Sequence, residues 1–188
     1  MDVHLFLDTI HLAEGLKDTQ RHCYTSKGRR ESVAEHSWRL VLMAYFLKDE
    51  FPEADINKVM LMCTIHDLGE LFIGDIPSFN KTEEDEKREE ELLNDWVLSL
   101  PQPYCDELSS LYQEMKERNT LEAKIYKALD GLEAVIQHNE SSLSTWEDHE
   151  YELNRNYAYN RVQFSSYMQE LRDAIREETE KKIEEGNK

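Results

Sequence analysis

The chain has 188 residues, long enough for one domain whose core needs no disulfide, and 40 acidic against 22 basic residues leave it with a net charge of −18. That balance argues against a nucleic-acid polymer as partner, since duplex binding draws on a basic surface; a small anionic ligand stays compatible wherever basic side chains gather locally. Cys23, Cys63 and Cys105 are odd in number and show no C-x-x-C spacing, so neither a disulfide framework nor a thiolate zinc site is signalled. The opening "MDVHLFLDTIHLAEGLK" is acidic early and short in apolar length for a signal peptide, and no apolar run approaches a membrane span. A soluble cytoplasmic protein without a membrane partner is expected.

In chain order, apolar residues recur mostly at three- and four-residue spacing, with six glycines and four prolines as punctuation. "VHLFLDTIHLAEGL" reads as a first amphipathic helix ending near Gly15, and "KDTQRHCYTSKGRR" as a polar, basic connector. Ser32 and Glu35 then fit a capping box, opening a second helix that runs toward Pro52. A third is expected over roughly Asp55 to Phe72, stopping at Gly74. A fourth follows Thr82, with acids in its first turn favourable to the helix dipole, and ends before Pro101. "YCDELSSLYQEMKE" and "LEAKIYKALDGLEAVIQH" are two more, and one or two long helices close the chain after "SSLSTWEDHE". No strand pair is expected. The class reads as all-α, one domain over 1–188 with a core at about 12–138 and C-terminal helices at about 146–185.

The stretch "CTIHDLGELFIGDIPS" (residues 63–78) breaks an apolar helical run with His66 and Asp67, then places Glu70 one turn later. Unpaired buried charges are costly, and a metal ion is the candidate partner. Neighbouring His66 and Asp67 differ by about 100° around a helix, so an ion over the edge between them is within reach of both. His36, at the edge of an apolar face, and Asp130, among Ile125, Leu129, Leu132, Ala134 and Ile136, are the candidates for the remaining ligands. Two imidazoles and two carboxylates suit one borderline divalent ion such as Mn²⁺, Co²⁺, Fe²⁺ or Zn²⁺, with Mg²⁺ a further option. Taken singly, each residue reads as well as a core histidine, a chance dipeptide or an aspartate at a local bend before Gly131. Glu70 is three and four residues from the His-Asp pair, on the same side of a continuous helix, as an acid/base group or as a carboxylate orienting His66.

"RRESVAEHSWR", "TIHDLGELFIGDIP" and "EAKIYKALDGLE" resemble the HD-domain metal-dependent phosphohydrolase superfamily, in particular its 5′-deoxynucleotidase-like members, from about Leu12 to His138. The resemblance implies a helical bundle with a metal site between helices, His36, His66, Asp67 and Asp130 as ligands, and Glu70 in general acid/base work. It also implies that Asp75 contacts the sugar, although an Asx turn fits that loop aspartate nearly as well, and that Arg21 grips phosphate. His22 stands where the bacterial enzymes carry a tryptophan that shapes the sugar pocket. Lys27, Arg29, Arg30 and Lys81 read as solvated. The implied reaction is hydrolysis of (deoxy)nucleoside 5′-monophosphates to nucleoside and phosphate, with nucleoside di- or triphosphates, another small phosphate ester or a non-catalytic binding module as alternatives. No histidine lies between Asp67 and Gln137 to hold a second metal for oxygenase chemistry. A homodimer is expected from the relatives, with "YAYNRVQFSSYM" as either core or dimer face.

Overall fold

The Asp2 carboxylate accepts the amides of His4 and Leu5 and starts α1, Val3–Ala13, in the computed structural model, which describes residues 1–186. A 3₁₀ turn, Glu14–Lys17, follows and buries Leu16. The expected connector is instead a small antiparallel hairpin: β1, Gln20–Tyr24, pairs with β2, Arg30–Ser32, with Gln20 opposite Ser32 and Tyr24 opposite Arg30. Gly28, at φ +81°, supplies the left-handed residue of its turn. The strands are short and polar, and in β1 only Cys23 is fully buried, so no alternation marked them in the sequence.

Ser32 caps α2, Val33–Phe46, through the expected capping box with Glu35. Asp55 caps α3, Ile56–Ile65. The continuous helix expected to Phe72 is broken: α3 ends at Ile65, His66–Gly69 form tight turns, and α4 covers only Glu70–Ile73. Backbone hydrogen bonds three residues apart run through this segment, Leu68 N to Ile65 O at 3.1 Å and Glu70 N to Asp67 O at 3.0 Å, and side chains share the carbonyls of the last α3 turn. His66 Nδ1 donates to Cys63 O at 3.0 Å, and the Tyr112 hydroxyl donates to Ile65 O at 2.8 Å. A Cβ on Gly69 would lie 2.7 Å from Glu89 Cγ, so the next helix packs directly on this break.

Thr82 caps that helix, α5 (Glu83–Ser99), with Asp85 closing its capping box. It is followed by α6 (Tyr104–Glu117) and α7 (Leu121–Glu140). α8 (Asp148–Asn156), a 3₁₀ turn (Tyr159–Arg161) and α9 (Ser166–Gly186) complete the described residues. α7 is the central element, packed by α2, α3 and α9. Leu40, Ala44, Val59, Met62, Ile125, Leu129, Leu132 and Met168 are wholly buried between them, and each large apolar side chain among them contributes roughly 1.5–3 kcal/mol. Asp130 sits inside unbroken α7, so Gly131 marks no bend; a Cβ there would come 2.7 Å from the Cβ of Ala158. Glycine at 131 is what lets the C-terminal turn lie on α7. "YAYNRVQFSSYM" resolves as core: Ala158, Val162 and Met168 are buried, with Tyr157 and Phe164 packed against them. No helix among the described residues is long and apolar enough to cross a membrane.

Candidate functional site

α2, the end of α3 and α7 bring four of the expected residues to one point. His36 Nε2 lies 3.4 Å from Asp130 Oδ1 and 3.9 Å from Asp67 Oδ2. His66 Nε2 lies 2.9 Å from Asp67 Oδ2 and 3.7 Å from Asp130 Oδ1. Neither buried Nε2 has a hydrogen-bond partner, an unfavourable arrangement unless a ligand satisfies it. The other ring nitrogens are engaged: His66 Nδ1 donates to Cys63 O and His36 Nδ1 to Glu133 Oε2. Both Nε2 atoms therefore aim at the two carboxylates. Metal–ligand bonds of about 2.1 Å put neighbouring donors about 3.0–3.4 Å apart, so His36, His66 and Asp67 are grouped closely enough to hold a divalent ion, with Asp130 Oδ1 3.4 and 3.7 Å from the two imidazoles.

The electrostatics point the same way. Burial disfavours charge on Asp130 and Asp67, yet Lys127 holds Asp130 well below the usual carboxylate range and His66 holds Asp67 at about 2. Burial and Arg21 oppose protonation of His36, but Glu133 and Asp130 outweigh them and raise it to about 9. A site that concentrates this much negative charge around two imidazoles attracts a cation. The outer oxygen of Asp130 is taken by Lys127 Nζ at 2.7 Å and Arg161 Nη1 at 3.3 Å, leaving Oδ1 for the cluster.

A cavity of about 310 Å³ opens over the two aspartates and is lined by Asp67, Asp130, Glu70, Asp75, Arg21 and His22, while His66 lines a second cavity with Lys81, Tyr112 and Tyr126. The helix break changes how Glu70 arrives: it is the first residue of α4, reached through a turn instead of along one helical face. Its side chain is buried, and Oε2 has no hydrogen-bond partner. Burial, Asp67 and Asp75 push its carboxyl up to about 10. Burial also raises Asp75, partly offset by Arg21.

Arg21, on β1, anchors Nη1 on Glu31 Oε2 at 3.0 Å and Glu133 Oε2 at 3.2 Å and borders the cavity. His22 is held by Glu150 Oε1, 2.8 Å from its Nε2, and its ring meets Phe79 edge-on at 5.4 Å. Lys27 and Arg30 are exposed as expected, and exposed Arg29 pairs with Glu35 at 2.5 Å. Lys81 departs from expectation: it is half-buried, pairs with Glu89 at 2.5 Å and lines the cavity.

Sequence reasoning passed over Lys127, Glu133, Glu150 and Arg161. Lys127 and Glu133 stand three residues either side of Asp130 in "KALDGLE", a spacing that puts them on its helical face and that was readable. Arg161 and Glu150 carry no local signal; packing of the C-terminal segment on α7 delivers them.

The HD domain family model matches residues 13–172 of this chain. The chain belongs to the HD domain family. Among curated proteins, this HD domain is similar to the 5′-deoxynucleotidase HDDC2 of Homo sapiens, 34% identical over 119 residues, 62% of this chain and 57% of that protein. The chain thus aligns with little more than half the length of that relative. It is also similar to the 5′-deoxynucleotidase HDDC2 of Dictyostelium discoideum, 25% identical over 177 residues, covering 89% of this chain and 88% of the relative. Among solved structures, a predicted metal-dependent phosphohydrolase from Magnetospirillum magnetotacticum MS-1 superposes with a TM-score of 0.77 at 27% identity, covering 95% of this chain and 93% of that one. The cyanophage S-2L HD phosphohydrolase DatZ, bound to dA and one catalytic Zn²⁺, shares the fold at a TM-score of 0.58 and 20% identity, covering 93% and 96% of the two chains.

Proposed function

We propose that residues 1–188 act as a single HD domain that hydrolyses nucleoside 5′-monophosphates, deoxynucleotides foremost, to nucleoside and phosphate with one divalent metal ion. The observation that carries this reading is the pair of partnerless imidazole Nε2 atoms facing Asp67 and Asp130 beneath a cavity bordered by Arg21 and Glu70. The relatives named 5′-deoxynucleotidase support the substrate class. When bound by His36, His66, Asp67 and Asp130, such an ion supplies Lewis-acid chemistry, acidifying a water and drawing charge from phosphoryl oxygens. Arg21, with Nη1 fixed by two carboxylates, presents its remaining nitrogens as phosphate donors. Glu70, buried with its Oε2 unpartnered at the cavity, serves as the general acid/base group that exchanges a proton with the attacking water or the leaving sugar oxygen. Asp75 accepts from a sugar hydroxyl, and His22, set by Glu150 and Phe79, forms the wall beside the sugar. A di- or triphosphate substrate is the second reading, because Arg118 lines the cavity besides Arg21, together with Lys81, Lys127 and Arg161, which pair with Glu89 and Asp130.

We also infer a cytoplasmic homodimer. All three cysteines are free, which suits a reducing compartment. Large apolar side chains stay exposed on α1 (Val3, Phe6, Leu7, Ile10) and α2 (Trp38, Tyr45, Phe46), which supports association through those helices.

The test is phosphate release from a panel of ribo- and deoxynucleoside mono-, di- and triphosphates after chelation and re-addition of Mn²⁺, Co²⁺, Mg²⁺ or Zn²⁺, beside Glu70→Gln. Metal-dependent release from monophosphates, lost in the variant while it still binds metal, is the expected result. Release only from the longer phosphates selects the second reading, and none with any metal overturns both.

A further inference from the structure

Glu133 has no place in the ligand set or the acid/base chemistry above, yet it is wholly buried and is shared by three side chains. Its Oε2 accepts from His36 Nδ1 and from Arg21 Nη1, the latter at 3.2 Å. Its Oε1 accepts from Arg39 Nε at 2.6 Å and Nη2 at 2.5 Å. Arg39 is itself held by Gln137 at 2.6 Å and Glu140 at 2.6 Å, one and two turns further along α7, so the carboxylate cannot rotate freely. Glu31, His36 and Glu133 also lie close enough together to suggest a second metal site. Arg21 and Arg39 already occupy those carboxylates, however, and two guanidinium charges leave no place for another cation. The trio is an ion-paired layer beneath the first cluster.

We propose that Glu133 is a positioning residue that sets both halves of the site with one carboxylate, fixing His36 for the metal and Arg21 for the phosphate. The inference rests on the phosphohydrolase reading above. Accepting from His36 Nδ1–H holds the ring tautomer and angle in which Nε2 is free to bind a cation, as partners behind metal-ligating histidines do. The same oxygen draws on Arg21 Nη1 and leaves the rest of that guanidinium toward the cavity. Glu31 is the natural control, because it touches Arg21 at 3.0 Å and is not bonded to His36. A glutamine at 133 meets four N–H donors, from three side chains, with one acceptor oxygen. If its NH₂ faces His36, Nδ1 must become the acceptor and the proton moves to Nε2, the atom the metal needs; if it faces Arg39, two donors collide there.

The test uses the full chain as wild type, Glu133→Gln and Glu31→Gln. Co²⁺ is titrated into the metal-free proteins and followed by its visible absorption. Inorganic phosphate is then titrated calorimetrically into each Co²⁺-saturated protein. Glu133→Gln is expected to weaken Co²⁺ binding by about 10–100-fold and to weaken phosphate binding as well. Glu31→Gln is expected to weaken phosphate binding while leaving Co²⁺ affinity at the wild-type value. Wild-type Co²⁺ affinity in a cooperatively folding Glu133→Gln protein overturns the inference, as does an equal loss of Co²⁺ affinity in Glu31→Gln. Should Glu133→Gln not fold, the His36 ring nitrogens in the wild-type protein decide by NMR. In the Zn²⁺-loaded protein, a hydrogen-bonded His36 Nδ1–H supports the assignment, and a metal-bound His36 with no such Nδ1–H sinks it. Failure of the wild type itself to bind Co²⁺ removes the phosphohydrolase reading, a different outcome from Glu133→Gln matching a competent wild type.

Discussion

Gly131→Ala is the substitution for which the structure sets two effects against each other. Alanine in the interior of α7 is intrinsically favoured over glycine by roughly 0.5–1 kcal/mol, so a helix free of neighbours would gain. Here the added Cβ arrives 2.7 Å from the Cβ of Ala158, 3.0 Å from Arg161 Nη1 and 3.2 Å from Arg161 Cδ. Relaxed carbon contacts need about 3.5–4.0 Å, so the segment must retreat by about 1 Å. Arg161 is the end of a flexible side chain, but Ala158 is buried and sits at φ +66°, with little freedom to move. Overpacking of this kind costs about 1–3 kcal/mol, which exceeds the propensity gain. The net expectation is about 1 kcal/mol of destabilisation, or about 2–4 °C in Tm for a chain of this size. Arg161 should also loosen from Asp130. The assay is thermal and urea unfolding of Gly131→Ala, Ala158→Gly and the double variant. Removing the Ala158 methyl should restore most of the loss, giving a favourable coupling energy. A stabilised Gly131→Ala, or no coupling to Ala158→Gly, refutes the packing argument.

Chelation should lower the Tm of metal-loaded protein by about 5–10 °C, because a ligand at a hundredfold its Kd adds about 2.7 kcal/mol; an unchanged Tm would mean that His36, His66, Asp67 and Asp130 hold no ion. Leu129→Ala, at a wholly buried position on α7, should cost about 2–5 kcal/mol by urea unfolding, and a loss under 1 kcal/mol would show that the core closes over the gap. Ser32→Ala removes the hydroxyl that accepts the Glu35 amide at the start of α2 and should cost about 1 kcal/mol, with no loss pointing to a substitute cap. Trp38→Ser with Phe46→Ser, at positions 64% and 76% exposed, should turn a dimer into a monomer in sedimentation while changing protomer stability by at most about 0.5 kcal/mol. A wild type that is already monomeric at working concentration removes the homodimer proposal.

By itself the sequence determined the features that depend on contacts a few residues long. Caps at Ser32 and Thr82, and the three- and four-residue apolar spacing of α2 and α7, are decided within one or two turns and were legible. So were His36, His66, Asp67 and Asp130, the four residues that converge in the structure, because histidines and aspartates on otherwise apolar helices stand out against their surroundings. Tertiary structure alone decided where those helices stop and which charged groups face one another. α3 tightens into turns after Ile65 where Tyr112, from α6, shares a carbonyl of its last turn and α5 packs on Gly69; neither partner is near in the chain. The β1–β2 hairpin stayed hidden because its strands bury too little to alternate, and Lys81 because its surroundings are α5 and the cavity. Glu133 was visible as a spacing, but its three cationic and imidazole partners come from β1 and α2. A buried carboxylate takes its meaning from the donors around it, and those donors are assembled only when the helices pack.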